Sequence, residues 1–252
     1  MNKIYHTTKD KFIVYNACKS NKKNMLYVIF LHGFMSSMDS TKAVYLENYC
    51  REHNANFIRF DNFGHGLSSE RFLDCTISDW LEGLELVLDY FSGNDFILVG
   101  SSMGGWLSLL AAPKYPKQIK GLLCIAPAPD FTEESIWNHL APMQKEKIQS
   151  QGFLKVSNSN SQNKYPISYN LILDARQHLL LNKEIIEINL PIHLIHGIKD
   201  EDVSADVSYK LLQKLDSEQI VLKLIKDGDH RLSRPQDLKV ISHSLGELIG
   251  II

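Results

Sequence analysis

The chain reads as an α/β fold with a mainly parallel sheet flanked by helices on both faces. Short runs of Val, Ile and Leu alternate with longer stretches of helical period. The runs are continuous rather than alternating apolar and polar, as strands buried on both faces must be; FILVG (96–100), IHLIHG (192–197) and IVLKLI (220–225) are of this kind. Strands alternating with helices imply βαβ units and hence parallel pairing. With 252 residues, 44% of them hydrophobic, one sizeable core is expected, so 1–252 is read as a single domain.

The elements follow in order. Residues 3–7 and 11–15 suggest a hairpin turned at Lys9-Asp10. Met25–Leu31 is an apolar strand, followed by a loop from His32 to about Ser37. A helix over about Asp39–His53 and a strand at Asn56–Phe60 come next, then the Gly-rich loop Asp61–Ser69. Around Ile77–Phe91 the apolar residues Trp80, Leu84, Val87, Leu88 and Phe91 recur at three- and four-residue steps, a helical stripe. Asp95–Val99 is a strand, Gly100–Gly105 a tight turn, and Trp106–Ala112 opens a helix that Pro113 ends. Ile119–Ile125 is a further strand. From Pro127 to about Tyr169 the pattern is broken by Pro127, Pro129, Pro142 and Pro166 and by a polar loop at Ser157–Asn163, yet apolar residues are scattered through it. This reads as a small cap of about 127–170, inserted after Ile119–Ile125. Alternation then resumes with a helix from about Leu171, strand Ile192–Ile195, helix Ala205–Leu215, strand Ile220–Ile225 and helix Pro235–Ile249.

Composition excludes several functions. The net charge is −2, from 27 basic and 29 acidic residues. No Lys/Arg block favours nucleic acid, and the three lysines of Lys19–Lys23 read as a solvated turn. Apolar runs are strand-length, short of the roughly 20 residues that span a bilayer. The N-terminus shows neither a signal-peptide core nor an Arg-rich amphipathic stretch, so a cytoplasmic protein is expected. Cys18, Cys50, Cys75 and Cys124 form no C-x-x-C pair and read as reduced, structural thiols. No cluster has metal-ligand spacing, and no P-loop or dinucleotide fingerprint occurs, so neither metal nor cofactor is expected.

The chemistry concentrates at Gly100-Ser101-Ser102-Met103-Gly104, a G-x-S-x-G between a strand and a helix. So sharp a turn needs neighbours without bulk two residues either side of the serine. Ser102 has glycines there; Ser101 has Val99 and Met103, so the register selects Ser102. Ser102 also precedes a helix, whose N-terminus favours negative charge. A serine needs a base, and the base an orienting acid. Downstream, His196-Gly197-Ile198-Lys199-Asp200-Glu201-Asp202-Val203 follows a strand and matches H-G-x-x-D-x-x-V, which selects Asp200. Asp202 competes, though it suits a helix N-cap, and Glu201 is a weaker rival. His230, in Lys226-Asp227-Gly228-Asp229-His230, is the histidine in a post-strand loop beyond Asp200; His243 lies in the last helix. Ser102, Asp200 and His230 thus form a candidate nucleophile, acid and base in the chain order of the α/β-hydrolase fold. In that fold the backbone N–H groups of Phe34 and Met103 are the candidate oxyanion donors. His32 and His65 are assigned loop-bracing roles. Within the insertion, Trp137, Leu140, Met143 and Phe153 either line an apolar acyl pocket or hold the insertion to the sheet edge.

With these residues placed, the chain resembles α/β-hydrolases generally. Its segments SSMDSTKA (36–43), IRFDNFGHG (58–66), GSSMGGWL (100–107), IHLIHGIKDEDV (192–203) and GDHRLSRPQDL (228–238) resemble the mitochondrial acyl-protein thioesterase / mycophenolic acid acyl-glucuronide esterase subfamily and its bacterial relatives. The resemblance implies a serine esterase or thioesterase with Ser102, Asp200 and His230 as its triad, acting on small-molecule or acylated-protein substrates, S-palmitoyl proteins and acyl-glucuronides among them. An acyltransferase or C–C bond hydrolase on the same triad is the alternative, and a non-catalytic binding module a remoter one. The chain departs from the pattern expected of the mammalian relative at His32, and its N-terminal residues lead to the expectation of no transit peptide.

Overall fold

The computed structural model describes residues 1–20, 26–157 and 164–251. The lysine turn expected at Lys19–Lys23 and the polar loop at Ser157–Asn163 fall mostly outside those residues, as does Met25. One eight-stranded sheet organises the chain. Strands β1 (Asn2–Tyr5) and β2 (Phe12–Cys18) form the expected antiparallel hairpin. They are followed by β3 (Leu26–Leu31), β4 (Asn56–Asp61), β5 (Asp95–Ser101), β6 (Ile119–Ile125), β9 (Ile192–Gly197) and β10 (Ile220–Ile225). Across the sheet the order is β1-β2-β4-β3-β5-β6-β9-β10. From β4 to β10 every pairing is parallel. This is the α/β hydrolase fold that the sequence pattern predicts.

The two-residue period of a strand sorts its side chains between two cores. On β3, Ile29 and Leu31 face one side and Val28 and Phe30 the other; on β5, Phe96 and Leu98 oppose Ile97 and Val99. Helices α2 (Ile77–Tyr90) and α3 (Met103–Ala111) cover the first side, with Trp80, Leu84 and Trp106 fully buried. Helices α1 (Thr41–Glu52) and α7 (Pro235–Ile249) cover the second, through Leu46, Ile241 and Leu245. A capping box between Thr76 and Asp79 starts α2.

Two expectations need correction. IVLKLI is not buried on both sides: β10 closes the sheet as an edge strand, leaving Val221 and Leu224 40% and 52% exposed. An apolar run thus marks a strand without saying where in the sheet it lies. Helix α3 begins at Met103, immediately after Ser102, rather than near Trp106. Its first turn holds two glycines, poor helix formers that hid the start.

Between the neighbouring strands β6 and β9 the chain inserts more regular structure than its prolines suggest. It contains a π-helical turn (Thr132–Ile136), α4 (Pro142–Gln151), an antiparallel hairpin of β7 (Phe153–Ser157) and β8 (Lys164–Ser168), and α5 (Tyr169–Ala175). Pro166 is tolerated in β8 because a two-stranded sheet is all edge. The buried Asp130 carboxylate accepts the N–H groups of Leu180 and Leu181, at 2.8 and 2.7 Å, and pins both ends of the insertion together. Ser78 of α2 donates to Asp174 of α5 at 2.6 Å, tying it to the body. Helix α6 (Asp206–Lys214) completes the chain before β10.

Candidate active site

Strand β5 ends in the turn that carries Ser102. The Ser102 backbone is at φ 54°, ψ −117°, a region that L-residues rarely occupy. A Cβ on Gly100 would lie 2.2 Å from the carbonyl oxygen of Gly104, and one on Gly104 would lie 2.3 Å from that of Leu31. The two positions flanking Ser102 therefore admit only glycine, the steric requirement inferred from the register. Ser101, by contrast, is the last residue of β5 and is buried.

Three post-strand loops converge on this turn. Ser102 Oγ–H donates to His230 Nε2 at 3.0 Å, and His230 Nδ1–H donates to Asp200 Oδ2 at 2.7 Å. Asp200, after β9, has a fully buried side chain. Its Oδ1 accepts the N–H groups of Asp202 and Val203, at 2.9 and 2.8 Å, and its Oδ2 also accepts His196 Nε2–H at 3.0 Å. Burial alone would raise this carboxyl's pKa; the donors His196, His230 and Val203 outweigh it and hold the group well below the usual carboxylate range. His196 is itself held, with Nδ1 accepting from Ser208 Oγ–H at 2.7 Å. The H-G before Asp200 had flagged the loop, but nothing in sequence marked His196 as its support. His243 is exposed beside Glu247, away from this group.

The loop after β3 lies against Ser102. A Cβ on Gly33 would be 3.2 Å from Ser102 Cβ and 3.8 Å from its Oγ. Two buried imidazoles brace this loop, as expected. His32 Nδ1–H donates to the Gly33 carbonyl at 2.8 Å, and its Nε2 accepts the Asn62 N–H at 3.1 Å. His65 Nδ1–H donates to the Phe63 carbonyl at 3.0 Å, and its Nε2 accepts the Met35 N–H at 3.2 Å. Burial lowers their pKa values to about 4 and about 3, so both are neutral at physiological pH. The buried Asp61 carboxylate adds a third brace, accepting the Met38 and Leu67 N–H groups at 2.7 and 3.0 Å. On the far side, buried Lys42 of α1 donates its ammonium to the carbonyl of Arg231, next to His230.

A cavity of about 250 Å³ opens onto Ser102 and His230. Phe34, Phe131, Ile136 and Tyr165 form its apolar wall, and Ser135 and Asp202 are its polar additions. Phe34 packs edge-on against Tyr165 and Trp80, with centroids 5.8 and 5.7 Å away. None of Trp137, Leu140, Met143 and Phe153 lines this cavity. Trp137 packs on Tyr169 with Arg176 over its face; Leu140 is buried in the same core as Trp80 and Trp106; Met143 and Phe153 are 81% and 44% exposed. Apolar residues in the insertion thus served two ends, and the π-helical turn and β8 supply the wall where α4 and β7 do not. Phe131 and Ile136 carried no periodic signal that could have singled them out.

Among the described residues no group of three or more metal-ligating side chains occurs, and no helix is long and apolar enough to cross a membrane. Burial pushes the Cys75 and Cys124 thiols up to about 12, and all four cysteines are unpaired.

Residues 27–152 match the family model for the α/β hydrolase fold. The palmitoyl-protein thioesterase ABHD10, mitochondrial, of Mus musculus is 34% identical over 224 residues, spanning 88% of this chain and 74% of that protein. The structure of α/β hydrolase domain-containing protein 10 from mouse superposes with a TM-score of 0.89 at 30% identity, over 99% of this chain and 98% of that one. Est1E from Butyrivibrio proteoclasticus, solved with ferulic acid bound, shares the fold with a TM-score of 0.81 at 20% identity, over 99% and 100%. The chain is a member of the α/β hydrolase family and a relative of the ABHD10 palmitoyl-protein thioesterases.

Proposed function

We propose that the protein hydrolyses acyl esters or thioesters through an acyl-serine intermediate on Ser102. The hydrogen-bonded line Ser102–His230–Asp200 on a strained strand-to-helix turn carries this reading. His230 Nε2 takes the hydroxyl proton as Ser102 Oγ attacks the carbonyl carbon, and Asp200 holds the ring's tautomer and balances the imidazolium. The carbonyl π electrons move to oxygen. The N–H groups of Phe34 and Met103 are assigned to receive that oxyanion. Met103 opens α3, where helical N–H groups have no internal acceptor, and Gly33 brings the Phe34 loop against Ser102. As the tetrahedral intermediate collapses, His230 returns the proton to the departing alcohol or thiol. Water, deprotonated by His230, then attacks the acyl carbon, and Ser102 leaves with the proton.

The ABHD10 relatives are named for palmitoyl-protein hydrolysis, and removal of an acyl chain from a protein thiol is within this chemistry. The cavity beside Ser102, about 250 Å³, lies below the roughly 300–1,000 Å³ of most ligand pockets. It suits a short acyl group, with any longer chain extending through its open mouth. A panel of p-nitrophenyl esters and acyl thioesters of graded length tests the reading. Turnover is expected to peak at short chains, and a fluorophosphonate probe is expected to label wild type but not Ser102→Ala. Unlabelled wild type, or a labelled alanine variant, would overturn the proposal. We also propose a cytoplasmic location, in contrast to the mitochondrial one in the relatives' names; recovery of the protein with mitochondria on cell fractionation would refute it.

A further inference from the structure

The wall of the cavity carries one carboxylate, that of Asp202, and among the described lining residues His230 is its sole potential cation. The backbone of Asp202 donates to Asp200 Oδ1 at 2.9 Å, so the loop that orients the acid also fixes where this second carboxylate sits. Among the described residues no side chain pairs with it. Two cations of the flanking segments are engaged elsewhere: Lys199 pairs with Asp227 at 2.8 Å, and Lys42 turns to the Arg231 carbonyl. Apart from Ser102, His230 and the uncharged Ser135, the rest of the described wall is apolar or aromatic. The Tyr165 phenol, raised first by burial, is raised further by the charge of Asp202, which places the carboxylate's field across the cavity. A lone charge against low-dielectric walls is felt more strongly by an occupant than the same charge on an open surface.

We infer that Asp202 selects substrates by charge. Resting on the esterase reading above, the site accepts neutral or cationic acyl donors and disfavours those with an anionic group close to the scissile carbonyl. Acyl-glucuronides, whose sugar carboxylate lies near the ester, fall in the disfavoured class. Simple alkyl esters, and thioesters on neutral or basic peptides, fall in the favoured one. Asp202 is a specificity residue here and takes no part in proton transfer.

The test is a ratio of kcat/KM values for two esters that share a leaving group and an acyl size, p-nitrophenyl butyrate and mono-p-nitrophenyl succinate. Wild type is expected to prefer the butyrate, and the preference to shrink as salt screens the carboxylate. Asp202→Asn is expected to reduce the preference about tenfold, whereas Asp202→Glu retains it. Thermal melts of both variants establish that each folds. Because the readout is a ratio, a general loss of activity in a variant leaves it interpretable. A preference unchanged in Asp202→Asn, with both esters turned over, overturns the charge selection and leaves the esterase reading standing. Failure of wild type to hydrolyse either ester or to label at Ser102 overturns both.

Discussion

At the scale of single residues, Asp200 bears the heaviest load. One oxygen takes two imidazole N–H groups and the other takes two backbone N–H groups, so four donors saturate a carboxylate with no access to water. Replacing it by asparagine keeps the shape but allows the amide to present a donor to His230, favouring the wrong ring tautomer. Asp200→Asn is therefore expected to lower kcat by about 10³–10⁴-fold with the fold retained, as steady-state kinetics beside a far-UV spectrum would show. Gly104 gives a steric counterpart. Its added Cβ would meet the carbonyl of Leu31, which is backbone and cannot swing away. Gly104→Ala is expected to cost roughly 1–3 kcal/mol of stability and to abolish probe labelling at Ser102, read by a denaturant titration and by gel fluorescence. Both residues were legible in sequence because the motif's logic is local: glycines two residues either side of a serine, an aspartate four residues after a post-strand histidine. Asp202 and His196 were in view as letters of the same loop, but their roles depend on which way a side chain points. A linear pattern does not encode that.

Between elements, the legible and the illegible divide along sequence distance. Strands and helices of the body announce themselves by runs and periods a few residues long, so α7 and β10 begin and end where the pattern says. Lys42 does not. It lies within the segment Ser36–Ala43 that supports the family resemblance, yet its partner, the Arg231 carbonyl, is 189 residues away. Burial lowers its pKa to about 8, against the pull of Asp229. Helix α1 thus reaches across to hold the loop of His230 from below. Lys42→Met is expected to lower kcat about tenfold with little change in KM, because it loosens the base without touching the cavity; Michaelis–Menten kinetics separate the two constants. The insertion was the least legible element. Its hairpin and π-helical turn follow no long period, and their apolar residues read equally well as wall or as glue. The result is a cavity lined by Phe131, Ile136 and Tyr165 in place of Trp137, Leu140, Met143 and Phe153.

Over the whole molecule, stability and acidity are linked through the buried imidazoles. His32 and His65 titrate near 6.5 when unfolded but at about 4 and about 3 in the fold. Below about 6.5 the unfolded chain binds protons that the folded one refuses. Their contribution is therefore complete above pH 6.5 and is lost as pH falls toward 4. Melting temperatures between pH 7.5 and 4 are expected to fall with acidification, and more shallowly in a His65→Gln variant. A flat profile over that range would refute the linkage. The same protonation would release the Met35 and Asn62 N–H groups, so the loop after β3 is expected to give way first.

The place of His230 has a consequence for how the protein is made. Its loop follows β10, the last strand in the chain and the outermost on its side of the sheet, while Ser102 lies on a central strand far earlier in the sequence. Domains generally fold as units, so a chain whose synthesis has passed Ser102 but not β10 has a nucleophile with no base. Such a chain carries its serine unarmed, and the triad is complete only once the strand and loop that bring His230 have been made.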